Sequence, residues 1–199
     1  MNSGLITLIV VAVIVLAIII WAISTYNGLI SLRNRFKNAF AQIDVQLQRR
    51  YDLIPNLVDT AKRFLEHERE TLTAVTEARN IAAAAAKAAQ SNPANGAAIS
   101  KLSAAEGALG TALSRLMVVC EAYPNLKSDT HMRQLMEELS STENRISFAR
   151  QAYNDSVMSY NTTRESFPAS LVSGMFGFLP AEQLQLANPE ARQNVRVQF

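Results

Sequence analysis

The chain has 199 residues, 49% of them hydrophobic but only 7% aromatic, with seven glycines and a formal net charge of +2. That length holds one ordinary domain plus an extra element, and the composition is that of an Ala/Leu-rich helical protein. A balance of 19 basic against 17 acidic side chains gives no charge-driven case for nucleic acid, and the single cysteine, Cys120, excludes an intrachain disulfide.

After a short N-terminus (1–4), "LITLIVVAVIVLAIIIWAI", Leu5 to Ile23, carries no charge and only Thr7 as a polar break. About 20 apolar residues match the hydrocarbon thickness of a bilayer, so 5–23 is read as a transmembrane anchor. A cleaved signal peptide is the rival. It lacks a basic residue before the run, and the run is long for one. Arg33, Arg35 and Lys37 follow the span before the first acid, Asp44. The positive-inside rule therefore puts the N-terminus outside and the bulk of the chain in the cytoplasm. Trp21 and Tyr26 suit the interfacial aromatic belt.

Beyond the span, Leu29, Leu32, Phe36, Phe40, Ile43 and Leu47 recur at steps of three and four, an apolar stripe on a helix that leaves the membrane unbroken. "RRYDLIPNLVDTAK", 49–62, then places Pro55 among apolar residues. Proline is tolerated in a first helical turn and Asp52 is a good cap, so a helix–helix corner is expected there. A second helix follows over about 53–89, burying Leu57, Ala61, Phe64, Leu65, Thr71, Leu72, Val75, Ala78 and Ile81. "SNPANG", 91–96, is a loop by composition. A third helix spans about 97–122. Pro124 ends it near Tyr123, and Ser128 and Asp129 supply the cap of a fourth. Met132, Leu135, Leu139, Thr142, Ile146, Ala149, Tyr153, Ser156, Tyr160 and Phe167 form that helix's long seam, closed by Pro168.

Short corners make neighbouring helices antiparallel. The expected fold is all-α: a transmembrane helix continuing into an antiparallel up-down-up-down four-helix bundle over 26–167, with a C-terminal tail at 168–199. Both Pro-Asn-Leu corners, 55–57 and 124–126, then meet at the tip farthest from the membrane. There Arg49, Arg50, Tyr51, Asp52, Asn56, Asn125, Lys127 and Asp129 gather, either as caps and corner salt bridges or as a partner-docking surface. In the tail, "FPASLVSGMFGFLP" is too short to span. Leu171, Val172, Met175, Phe176 and Phe178 either enter the bilayer interface or cap the open lower end of the core. "ANPEARQNVRVQF" reads as a polar, mobile end. Tyr-Asn recurs at 26–27, 153–154 and 160–161, the last two on one face, and is read as fixing structural register.

Nothing points to catalysis. His67 and His131 lack H-E-x-x-H or another metal-ligand spacing. Glu66, Glu68 and Glu70 form a solvated acidic face, and Cys120 lies on an apolar stripe as a buried thiol. Phosphate loops, nucleophile elbows and paired-Cys motifs are missing from the sequence. No catalytic residue, cofactor or metal is expected.

"YNGLISLRNRFKNAFAQIDVQLQRRYDLIPNLVDTAK", "HE" at 67–68, "AR" at 78–79, "EAYPNLK", "ENRISFARQAYNDSVMSYN" and "FP" at 167–168 closely resemble the LemA family of bacterial membrane proteins. The resemblance implies a single-pass N-terminal anchor and a cytoplasmic antiparallel helical bundle. It supplies no catalytic or ligand residues, and the family's relatives in magnetosome membranes make membrane organisation a plausible class. The function expected is a non-enzymatic, membrane-anchored scaffold or adaptor, bound to the lipid bilayer through the anchor and to a protein partner or a homo-oligomer, with no nucleic acid. The alternatives are a self-assembling membrane-organising protein and a ligand or metal carrier within the bundle.

Overall fold

A computed structural model describes residues 3–65 and 67–185; the regular elements among them are all helices, with no β-sheet. The helices are α1 (Ser3–Lys62), α2 (Arg69–Ser91), α3 (Gly96–Glu121), α4 (Pro124–Ser128), α5 (Thr130–Glu165) and α6 (Ala169–Met175).

α1 carries the organisation. Its apolar start is exposed along its length, and it is long and apolar enough to cross a membrane. Burial begins at Leu29 and continues through Phe36, Phe40, Ile43, Leu47, Tyr51, Ile54, Leu57, Val58 and Ala61, the step of three and four that one helix face requires. "Proximal" below means toward residues 5–23, and "distal" toward Lys62.

That list corrects the expected corner at Pro55. The proline lies inside α1, and Asp52 is an interior helical residue, not a cap. A proline here deprives the carbonyl four residues earlier of its amide donor. That carbonyl belongs to Tyr51, and Arg79 of α2 replaces the missing donor: its Nε donates to Tyr51 O at 3.0 Å. The helix survives its proline because a neighbouring helix supplies the lost hydrogen bond, while Ile54, Leu57 and Val58 keep the buried face in register.

The true corner is at 63–68. There Phe64 N and Leu65 N both donate to Ala61 O, and Leu65 is buried. Glu68 stands at the cap position of α2 without a side-chain capping bond, so no Ser, Thr, Asp or Asn signals this break. Because α2 starts afresh at Arg69, its inner face is Leu72, Val75, Ala82, Ala86 and Ala89. Ile81, expected inside, is 63% exposed.

The other boundaries follow the sequence. Asn95 caps α3, accepting from Ala97 N and Ala98 N. Tyr123 is extended and Pro124 occupies the first turn of α4. Asp129 caps α5 by accepting from Met132 N at 2.8 Å. Phe167, placed on the buried seam by its heptad spacing, is exposed, because α5 ends at Glu165.

α1 packs against α5 and α2, and α2 against α3; no comparable backbone approach joins α3 to α5 among the described residues. α1 and α5 are antiparallel, as Arg49 meets Glu138 while Phe36 meets Tyr153 and Tyr160. α1 and α2 are antiparallel too, with Arg79 at Tyr51 and Gln90 at Asp44. Of the expected polar end, "ANPEARQNVRVQF", all thirteen residues lie outside the described ones.

Candidate functional site: a buried charge network, an outer polar face and a tail clamp

At the Arg50 level the interior is charged. The Arg50 side chain is 3% exposed and that of Glu106, from α3, is 1% exposed, and the two form an ion pair. Arg50 Nη1 also meets Glu143 Oε2 of α5 at 2.5 Å, and the Tyr51 hydroxyl donates to Glu106 Oε1. Burial pushes the Tyr51 phenol up to about 12, against a smaller downward pull from Arg50. Tyr51 is therefore a protonated donor throughout the neutral range. With Arg79 on the Tyr51 carbonyl, two adjacent residues of α1 tie together α2, α3 and α5. A buried ion pair costs several kcal/mol of desolvation per ion, which attraction and further hydrogen bonds must offset, so its clearest effect is to fix which helix faces which. Chemically this is a lock: the Glu106 carboxylate is already held by a guanidinium and a phenol.

The residues expected to gather at the tip divide three ways. Arg50 and Tyr51 are buried in the lock and offer no docking surface, because the α1 stripe turns them inward. Arg49, Asp52 and Asn56, spaced three and four apart, share the outer face of α1. Arg49 Nη2 meets Glu138 Oε1 at 2.6 Å, Gln48 Nε2 donates to Asp52 at 2.9 Å, and Asn56 lines a groove with Asp129, His131 and Glu138 of the α5 side. Asn125 and Lys127 are exposed on α4. Since α1 runs on to Lys62, Arg49 lies about 20 Å and Asn56 about 9 Å short of its end, on the flank and not at the summit.

Cys120 is buried, and desolvation raises its thiol above the ordinary value, the setting of an inert core thiol. Among the described residues no three His, Cys, Asp or Glu side chains converge as a metal set.

A second construction lies toward the apolar segment, where the chain returns as an extended stretch after α6. Asn161 Nδ2 donates to Ala181 O at 2.8 Å and its Oδ1 accepts from Ala181 N at 3.0 Å. Asn154 repeats the pair on Leu184, at 3.2 and 2.9 Å. The preceding tyrosines do likewise: Tyr160 donates to Leu179 O and Tyr153 to Glu182 O, each at 2.8 Å. Seven residues of helix rise about 10.5 Å and three residues of extended chain about 10 Å, so a heptad on α5 reads every third tail residue. Burial keeps the same beat at Phe178, Ala181 and Leu184. The strand runs antiparallel to α5 and reaches the start of α3, where a Cβ added to Gly96 would lie 3.5 Å from Glu182 Cβ. At its proximal end the bundle thus has the extended stretch running from α5 toward the first residue of α3.

Of the five tail residues singled out from sequence, Val172 and Phe178 are buried, Phe178 beneath Tyr26 and the Arg33 guanidinium, while Leu171, Met175 and Phe176 are exposed. Val172 is thus turned inward, and Phe178 joins the apolar core. Sequence reasoning passed over Glu106, which an apolar stripe hid, and Arg79, whose task exists only because Pro55 is interior. Leu179 was also missed.

The sequence model of the LemA family matches residues 39–199. Among curated relatives, Magnetosome protein MamQ of Magnetospirillum gryphiswaldense is 26% identical over 172 residues, covering 79% of this chain and 63% of that protein. Magnetosome proteins MamQ 2 and MamQ 1 of Paramagnetospirillum magneticum are each 27% identical over 186 residues, covering 86% of this chain and 68% of theirs. The chain thus spans about two thirds of the length of these relatives.

Proposed function

The chain belongs to the LemA family, and on that premise we propose that it is a non-enzymatic scaffold or adaptor, anchored through residues 5–23 and presenting an up-down-up-down four-helix bundle to protein partners at the bacterial inner membrane. The bulk of the chain is assigned to the cytoplasm by the basic residues that follow the span. The observation that carries the reading is continuity. α1 is one helix from Ser3 to Lys62, about 90 Å long, with no joint between the apolar segment and the body built on it. Any surface on α1 is then held at a fixed height, and the outer face of Arg49, Asp52 and Asn56 is the docking surface assigned. Glu106, Arg50 and Tyr51 are engaged with one another, so the buried network lends no support to a carrier role.

Cross-linking of membranes followed by mass spectrometry, on wild type and on an Arg49→Glu/Asn56→Glu variant, tests this. Loss of a recurrent heterologous cross-link with unchanged thermal unfolding is expected. An identical set of cross-linked partners in both would refute the assigned face.

A second reading, self-assembly that organises membrane, is favoured by Val45 and Phe148, which stand exposed along one groove between α1 and α5 with Gln42, Arg145 and Ala152. It predicts homotypic cross-links through Phe148 in purified protein alone. A chain that stays monomeric in bilayers would exclude it. The relatives' link to magnetosomes is theirs by name, and it agrees with either reading.

A further inference from the structure

We propose that α6 and its flanks form a foot that enters the headgroup layer of the same membrane the span crosses, so that the protein contacts lipid at two points. This rests on the anchored reading above. Four observations carry it.

Height comes first. Tyr26 lies three residues past Ile23, a rise of about 4.5 Å, while the polar layer on each side of the hydrocarbon is about 5–7 Å deep. Phe176 touches Tyr26, ring centroids 4.9 Å apart, which sets the end of α6 at the depth of that layer.

Second, α6 has two faces. Val172 and Ser173 point inward, and the Ser173 hydroxyl donates to Arg164 O at 2.8 Å. Leu171 and Met175, four residues apart on the opposite face, are 60% and 81% exposed, and Phe167, Phe176 and Leu179 extend that apolar surface on either side. Isolated exposed hydrophobes need no explanation, but five large ones within thirteen residues do.

Third, no charged residue occurs from Ser166 to Ala181. A surface made to dock a soluble protein carries a polar rim with charges around its apolar centre. Within this stretch serines, glycines, prolines and alanines accompany the apolar side chains, while charges stand at its two ends, Glu165 and Glu182, and behind it, Arg33 on Phe178; an outward face without a charge of its own suits the interface of a bilayer.

Finally, the foot is held in place. Tyr160 and Asn161 fix Leu179 and Ala181 immediately after it, and Ser173 is fastened to the end of α5. The outward face is thus presented without a further ordering cost, and the turns flanking the short helix satisfy its end groups, with Ser170 N donating to Ser166 O and Phe176 N and Phe178 N donating to Val172 O and Ser173 O, as shallow insertion requires.

The test uses the full chain in a Cys120→Ala background, reconstituted in phosphatidylcholine vesicles with and without phosphatidylglycerol. Spin labels are placed at Met175→Cys, at Leu16→Cys within the span and at Asn56→Cys on the distal flank. Collision with oxygen, which concentrates in lipid, is compared with collision with a water-soluble nickel chelate. The foot predicts an oxygen-to-nickel ratio at Met175 between those at Leu16 and Asn56, and clearly above that at Asn56. If Met175 matches Asn56 while Leu16 reports lipid, the foot is refuted and the anchor stands. A Leu16 label in water would refute the anchor, and the foot with it. Shielding of Met175 from both reagents would mean that protein covers the face, which also overturns the proposal. Retained contrast between Leu16 and Asn56 shows that the variants are folded and inserted. A Leu171→Glu/Met175→Glu variant labelled at Phe176→Cys gives an independent arm: its label should shift toward the aqueous reagent, and an unshifted label counts against the foot.

Discussion

At the level of Arg50 the interior holds an ion pair; toward Tyr153 and Tyr160 it holds phenols and amides, with no fully buried charged side chain among the described residues and Arg33 only half-buried against Phe178. The distal network joins helix to helix, with Arg50 and Tyr51 reaching Glu106, Glu143 and, through the backbone carbonyl, Arg79. Its proximal counterpart joins a helix to an extended strand, with Tyr153, Asn154, Tyr160 and Asn161 gripping the main chain of residues 179–184. Charges in a dry interior discriminate strongly, because a wrong pairing strands an ion. Neutral side chains that bond to backbone are indifferent to tail sequence but demanding of register. The distal network therefore suits choosing the mutual arrangement of the helices, and the proximal one suits holding a returning strand.

That contrast can be broken most forcefully at the ion pair. Arg50→Met should lower global stability by about 3–5 kcal/mol, because it strands Glu106; Glu106→Gln should cost less, because Arg50 keeps Glu143, and Arg50→Met/Glu106→Met together should cost much less than Arg50→Met alone. Denaturant unfolding followed by helical circular dichroism checks this. A double variant as damaged as Arg50→Met alone would show that the pair is not a unit.

A smaller effect sharpens the role of Pro55. Arg79→Met should cost about 1–3 kcal/mol, the cost of an unsatisfied buried acceptor, but far less when combined with Pro55→Ala, whose amide can serve the Tyr51 carbonyl. Equal losses in both backgrounds would separate Arg79 from the proline.

At the proximal end, Asn154→Ala/Asn161→Ala should remove about 1 kcal/mol per hydrogen bond, felt locally. Amide exchange should accelerate at Ala181 and Leu184 while the unfolding midpoint of the helices moves little. Global loss equal to that of Arg50→Met would erase the distinction between the two regions.

The smallest effect at neutral pH grows in alkali. Tyr51 ordinarily loses its proton near pH 10 but holds it to about 12 in the fold. Between those values the folded chain binds more protons than the unfolded one, so stability falls as pH rises, and it is fully present below pH 10. Tyr51→Phe should flatten that part of the profile. Tyr153, raised in the same direction chiefly by burial, would keep the rest.

How much of this was written in the sequence differs by residue. The apolar segment, the capping residue Asp129 and the stripe from Leu29 to Leu47 act through local periodicity and caps, and they were legible, whereas Asn95 lay in a stretch read only as a loop. The two Pro-Asn-Leu tripeptides were not separable. Pro124 opens a helix after an extended Tyr123, while Pro55 lies inside one because Arg79, distant in sequence, occupies the orphaned carbonyl. Misplacing that corner also carried Arg50 and Tyr51 to the surface and Ile81 to the core. The heptad spacing of Tyr-Asn at 153–154 and 160–161 was visible, and its structural reading holds. That its partner is an extended chain three residues to the heptad could not be read from α5 alone.

The course of α1 through Pro55 is what every surface assignment depends on, and a distance settles it. Spin labels at the exposed positions Asn38→Cys and Asp59→Cys, measured by double electron–electron resonance in reconstituted protein, should give one narrow distribution near 32 Å, the rise of twenty-one helical residues. A distribution centred at about 15 Å, as a chain folding back at Asp52 would produce, would contradict the account.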